Sequence, residues 1–245
     1  VLFRSGVARA IRSSDKVRLV AAVDADPAKI GRDLGEILGE GSWGLVVRGD
    51  LSDLAGARVA IHTTGSFIPD VLDQVRSLTA AGLHVVSSTE ELAWPWLRHP
   101  GLAGDMDQMA REAGVAVVGT GVNPGFVMDV LPLAATHAVR GVRKVVVRRR
   151  VDTALRRRNL QVKTGAGMTT EAFAAEMQAG RMGHIGLAES LVMLAEGLGW
   201  TIGRIDEELA PIVSATGARS SEIEVAPGHV AGLRQVMEAR TAEGR

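Results

Sequence analysis

The stretch VAVVGTGVNPGF, residues 115–126, decides the fold. Val115-Ala116-Val117-Val118 is a short apolar run of the kind that forms a buried parallel strand. Gly119-Thr120-Gly121-Val122-Asn123-Pro124-Gly125-Phe126 follows, with three glycines and a proline, the composition of a tight turn. Val127-Met128-Asp129-Val130-Leu131 then reads as the opening of a helix. Bare backbone in such a turn can approach something flat or anionic, and Asn123 adds a donor and an acceptor at its centre. Open α/β sheets bind ligands at strand ends of this type. Gly121, Asn123, Pro124 and Gly125 are therefore candidate binding residues.

Working upstream, strand-like and helix-like runs alternate. Residues 17–23 (VRLVAAV) end at Asp24, and Asp26-Pro27 marks the cap and first turn of a helix expected through Leu38. Short strands are expected at 45–47 and 58–64, a helix at 69–80 closed by Gly82, a strand at 84–89 and a helix at 102–113. This alternation predicts an α/β fold with a doubly wound parallel sheet over residues 1–130. Downstream the style changes to α+β, giving a second domain over 131–245. There, residues 142–151 (VRKVVVRRRV) read as a long strand and 156–167 as a polar loop. Thr169 or Thr170 caps a helix through Ala179. Leu187, Leu191, Leu194 and Leu198 mark one helical face, and residues 223–225 start another strand.

Composition narrows the function classes. Hydrophobic residues are 46% and charged residues 23% of 245, an ordinary globular mixture. The 28 basic and 28 acidic side chains cancel, which leaves no bulk electrostatic case for nucleic acid or an anionic membrane. No cysteine is present, so disulfides, thiolate chemistry and cysteine-ligated metals are excluded. The six histidines include no i, i+4 pair, and no metal site is expected. No apolar stretch approaches the roughly 20 residues of a membrane span, and the expected location is cytoplasmic. Leu2-Phe3-Arg4-Ser5 is what the adapter-type codon run CTC-TTC-CGA-TCT encodes, so a fragment truncated at its start is expected.

Further residues could carry chemistry. Asp24, at a strand end, is placed to accept from ribose hydroxyls, or simply to cap its turn. Thr63-Thr64-Gly65-Ser66 ends another strand and could line a cofactor ribose, or only terminate the strand. Glu90-Glu91-Leu92-Ala93-Trp94-Pro95-Trp96 sets two carboxylates beside two indoles. A carboxylate walled by indoles suits proton handling or ammonium binding, although acidic residues also favour an ordinary helix start. The arginines of 148–150 and 156–158, with Lys163, could recruit an anion or simply face solvent. His184 is either a site residue or a cap for the helix that follows it.

Several segments together resemble the 2,4-diaminopentanoate dehydrogenase and native amine dehydrogenase group, related to dihydrodipicolinate reductases. They are VDADPAKIGRDLGE (23–36), STEELAWPW (88–96), GTGVNPGF with its VMDVLP continuation, RRNLQVKTGAGMTTEAF and GHIGLAES. The resemblance implies a Rossmann-type sheet lacking its first strand and phosphate loop, and a chain truncated at both ends; a sheet in the second domain could pair two subunits, so a homodimer is expected. It also implies NAD or NADP as cofactor, and reversible oxidative deamination of a small amine to a ketone with release of ammonia. Glu90 and Glu91 then correspond to the catalytic carboxylate region, and Trp94, Trp96 and His184 to the amine pocket. Asp24, Thr63, Thr64, Gly65, Gly121, Asn123, Pro124 and Gly125 correspond to the cofactor site. The histidine-pair and Lys-x-Asp-Ala-Pro-Ser-Gly-Thr signatures of dihydrodipicolinate reductases are absent. The alternatives are a related C=N or C=O reductase that does not use free ammonia, and a non-catalytic nucleotide-binding protein.

Overall fold

The computed structural model describes residues 2–242 apart from 53 and 55. The chain divides into two compact units. One runs to Leu92 and resumes over His99–Gly119; the other comprises Ala93–Arg98 and the chain from Thr120 onward.

The first unit contains, in order, α1 (Leu2–Arg12), β1 (Ala22–Val23), α2 (Leu34–Ile37), β2 (Val47–Arg48), β3 (Val59–His62), α3 (Ile68–Ala80), β4 (His84–Ser87), α4 (Pro100–Glu112) and β5 (Val117–Gly119). A 3-10 turn, Glu90–Ala93, follows β4. The named strands of this unit pair in parallel, β1 with β2, and β3, β4 and β5 side by side in that order. The mixed α/β character with parallel strands is as expected, but the sheet is in two pieces.

Helix α3 starts where Pro69 fixes φ in the first turn, a position whose N–H is unneeded. Its buried residues Ile68, Val71, Val75 and Thr79 recur at helical spacing. Ile68, Val71 and Val75, with Leu92 and Met106, form the core, against which Val117 packs. Each fully buried aliphatic side chain here contributes roughly 1.5–3 kcal/mol. The strands bury one face only: Val85 is 0% exposed, whereas Ile61 and Val118, in the next register row, are 45% and 49% exposed. The apolar run at 115–118 therefore forms a strand buried on one side.

The helix expected from Pro27 to Leu38 is not formed. Asp26 caps only a turn through Ala28 N–H, and Gly31 adopts φ +82°, in the left-handed region that interrupts a helix. The single turn of α2 starts instead at Asp33, whose carboxylate collects the N–H groups of Gly35, Glu36, Trp43 and Leu45.

The second unit contains α5 (Val130–Thr136), α6 (Arg158–Lys163), α7 (Thr170–Gln178), α8 (Leu187–Gly197), β6 (Ile202–Val213), β7 (Ala218–Arg219), β8 (Glu224–Val225) and β9 (Val230–Thr241). Strands β6 and β9 form a long antiparallel ladder; β7 and β8 form a short one. Helix α7 packs on β6, α8 packs on both long strands, and α5 packs on α8. As expected, Thr169 caps α7, its Oγ1 accepting from Ala172 N–H at 3.2 Å.

Three expectations in this region are corrected. Residues 142–151 form no strand, because their backbone meets no ladder partner among the described residues. The polar stretch 156–167 contains α6, whose buried Gln161 is held by the carbonyls of Ala154 and Arg156 and by Ser220. The helix read as opening at Val127 starts at Val130, where the Asp129 carboxylate accepts the first N–H. Among the described residues, no helix is long and apolar enough to cross a membrane.

Candidate functional site

In the first unit, the two carboxylates that follow β4 have different surroundings. Glu91 is 5% exposed. Its Oε2 accepts from Ile68 N–H at 2.8 Å, satisfying an open donor at the start of α3, and lies 3.0 Å from His99 Nε2. Glu90 is half-buried, and its carboxylate makes no hydrogen bond or ion pair among the described residues. Of the pair, Glu91 is the one engaged by the fold.

The Thr63-Thr64-Gly65 turn is braced by a buried hydrogen-bond network. His62 is 5% exposed; its Nδ1 is 2.8 Å from Ser87 Oγ, and its Nε2 is 2.6 Å from Thr64 Oγ1 and 3.1 Å from Gln74 Oε1. Ser87 Oγ donates to Thr89 Oγ1, which donates to Gly65 O at 3.0 Å. A Cβ on Gly65 would stand 2.8 Å from Val71 Cγ1, so only glycine lets the turn sit this close to α3. The ends of β3 and β4 are thereby fixed together by side chains that the strand pattern alone did not single out.

Asp24 is engaged locally. Its Oδ1 accepts from Asp26 N–H at 3.0 Å and its Oδ2 from Lys29 Nζ at 2.8 Å. Asp24 chiefly, against partial desolvation, holds the Lys29 ammonium above its ordinary 10.5.

In the second unit, the 121–125 loop closes on itself. Gly125 has φ +112°, and a Cβ there would stand 2.3 Å from Gly121 N. The glycines therefore accommodate the loop's own backbone. Gly125 N–H donates to Asp129 Oδ2 at 2.8 Å, and Asp129 is 0% exposed. Asp129 Oδ2 also accepts from Ser190 Oγ at 2.6 Å. His184 joins the same loop, with its Nε2 2.9 Å from Asn123 O. It does not cap α8: the cap is Gly186, at φ +92°. Trp94 is half-buried and Trp96 46% exposed, and the segment they occupy ends at Arg98, whose Nε donates to Glu189 Oε1 at 2.6 Å.

Asp129, Glu189 and Ser190 were not singled out as site residues, although they lie in the quoted VMDVLP and GHIGLAES segments. The signal was their place in those segments, since nothing in their spacing predicts the contacts. Asn123 Oδ1 is buried without a hydrogen-bond partner among the described residues. An orphaned acceptor on this loop fits a ligand that brings an N–H donor, such as the carboxamide of a nicotinamide.

Residues 126–244 match the 2,4-diaminopentanoate dehydrogenase C-terminal domain. The match bears out the resemblance carried by the sequence motifs. A 2,4-diaminopentanoate dehydrogenase of Acetoanaerobium sticklandii is 33% identical over 192 residues, which are 76% of this chain and 54% of that protein. An amine dehydrogenase of Streptomyces virginiae is 33% identical over 137 residues, 51% of this chain and 36% of that protein. The chain thus spans about half the length of the first of these relatives, and less of the second. The solved structure of an amine dehydrogenase from Mycobacterium smegmatis superposes with a TM-score of 0.78, covering 98% of this chain and 72% of that one. At 24% identity this is a likeness of fold.

Proposed function

We propose that this chain is part of an NAD(P)-dependent amine dehydrogenase, which interconverts a small amine, or a diamine of the 2,4-diaminopentanoate kind, with a ketone and ammonia. The observation that carries it is the match of residues 126–244 to the 2,4-diaminopentanoate dehydrogenase C-terminal domain. The chemistry that a nicotinamide cofactor supplies is hydride exchange with the amine carbon. Asp24 and the 63–65 turn are assigned to the ribose end of the cofactor, in a Rossmann-type arrangement. Gly121, Asn123, Pro124 and Gly125 are assigned to its nicotinamide end, where Asn123 Oδ1 is the acceptor for the carboxamide.

Glu90 is the acting carboxylate, because Glu91 is already bound to Ile68 N–H and His99. Its negative charge holds ammonia as ammonium, then takes the proton as the nitrogen becomes nucleophilic. Trp94 and Trp96 shape the apolar wall for the alkyl part of the amine, and His184 orients the neighbouring loop. Lys29 offsets the charge of Asp24, which opens the site to NADP as well as NAD. The functional unit is a homodimer in the cytoplasm.

The test uses the complete gene product, supplied with short ketones, ammonia and either reduced cofactor. Ammonia-dependent oxidation of NAD(P)H supports the proposal. Turnover of the same ketones without ammonia would assign the protein to the C=O reductases, and cofactor binding with no turnover would make it a nucleotide-binding protein.

A further inference from the structure

Residues 183–190, GHIGLAES, make a run of contacts that serves two separate segments of the second unit. The run is itself anchored: Gln235 on β9 accepts from His184 N–H at 2.7 Å and donates to Glu207 of β6 at 2.7 Å. From that anchor His184 Nε2 donates to Asn123 O, since a carbonyl can only accept. Gly186 turns the chain into α8 at φ +92°, which brings Glu189 and Ser190 into the first turn of the helix. Both are buried, at 0% and 2% exposure. Adjacent on the helix, they reach different targets. Ser190 Oγ donates to Asp129 Oδ2, the oxygen that also takes Gly125 N–H. Glu189 Oε1 takes Arg98 Nε at the end of the segment that carries Trp94 and Trp96.

We propose that Ser190 and Glu189 are positioning residues with separable effects. Ser190, through Asp129, sets the 121–125 loop for the nicotinamide cofactor, and Glu189, through Arg98, sets the Trp94–Trp96 segment for the amine. The inference rests on the functional reading above. The physical ground is the sharing of Asp129 Oδ2. Its carboxylate is fully buried, so it relies on its donors instead of water, and losing Ser190 leaves Oδ2 with Gly125 N–H alone. The loop then keeps its local closure but loses its side-chain tether to α8. Glu189→Gln keeps the shape of the side chain and removes the charge that draws Arg98 inward, without touching Asp129.

The test compares Ser190→Ala, Ser190→Thr and Glu189→Gln in the complete gene product. It reads NAD(P)H affinity by fluorescence titration, the KM for amine, and amide hydrogen exchange in peptides spanning 120–130 and 94–98. Ser190→Ala is expected to weaken NAD(P)H binding roughly tenfold, as loss of one hydrogen bond to a buried carboxylate predicts. It should also speed exchange at Gly125 and leave the amine KM little changed, and Ser190→Thr, which keeps the hydroxyl, should restore binding. Glu189→Gln is expected to raise the amine KM and speed exchange in 94–98 while NAD(P)H affinity holds. Parallel shifts of both constants in both variants overturn the proposal, as does unchanged exchange at Gly125 in Ser190→Ala. If no amine is turned over, NAD(P)H affinity and exchange still decide the Ser190 arm. Failure of the amine reading is thereby told apart from failure of the positioning role.

Discussion

Glu91 Oε2 accepts the N–H of Ile68 at 2.8 Å, so one member of the Glu90-Glu91 pair serves as the side-chain cap of α3. The same oxygen lies 3.0 Å from His99 Nε2, one residue before Pro100 opens α4. Adjacent carboxylates thus separate into a fold-holding group and one without a hydrogen bond or ion pair among the described residues. Replacing Glu91 by Ala is expected to lower unfolding stability by roughly 1–3 kcal/mol, the cost of stranding a buried donor. Urea denaturation of Glu91→Ala and Glu90→Ala measures it. Equal stability of the two variants would remove the distinction.

Gly125→Ala should disrupt the loop from within. At φ +112° a Cβ would meet Gly121 N at 2.3 Å, which combines left-handed strain with a backbone clash. A residue forced into such a region costs about 1–3 kcal/mol before the clash is counted. The expected outcome is lower thermal stability together with weakened cofactor binding. A variant with unaltered melting and binding would show that the loop does not need this closure.

The Asp24–Lys29 pair leads to a prediction on cofactor choice. With Lys29 Nζ 2.8 Å from Oδ2, the proposed placement of Asp24 at the cofactor ribose implies that its repulsion of a 2′-phosphate is offset. Lys29→Ala should therefore lower kcat/KM for NADP relative to NAD by roughly tenfold, the worth of one charge-assisted hydrogen bond. Paired kinetics with both cofactors provide the check, and an unchanged ratio would remove Lys29 from cofactor selection.

Acid stability should depend on Asp33. Backbone N–H groups, that of Trp43 first, pull its carboxyl from the ordinary 3.8 down to about 2. A lowered folded-state pKa adds stability above 3.8, and this is lost as pH falls from 3.8 through about 2. Asp33→Asn removes the titrating group. The stability difference between wild type and Asp33→Asn should be largest near neutral pH and shrink through that acid window. Denaturation curves that stay parallel down the pH scale would contradict it.

Much of the first unit was legible because its signals are local. Pro69, the apolar spacing through Val71 and Val75, and Gly82 define α3 without reference to anything else. The second unit was less legible. Strands β6 and β9 pair across a long sequence separation, and β6 carries Arg204, Asp206, Glu207, Glu208 and Pro211, which mask its strand character. Residues 142–151 show the converse, since a valine-rich run with charge at its ends makes no strand unless a partner backbone meets it, and none does among the described residues. At the candidate site, the motifs located the loop and the carboxylate pair. Side-chain partners then showed which carboxylate the fold engages, and what holds Asp129 and Glu189, because a hydrogen bond between residues far apart in sequence leaves no periodic trace.

The central claim is tested most directly by the rate at which the complete gene product oxidises NAD(P)H with a short ketone, measured against ammonia concentration in wild type, Glu90→Gln and Glu91→Gln. The rate should rise with ammonia to saturation. Glu90→Gln should lower it by roughly 10²–10⁴-fold, the usual contribution of a positioned proton-transfer group. Folded Glu91→Gln should keep most of it. Turnover that does not depend on ammonia, or an undiminished rate in Glu90→Gln, would contradict the account.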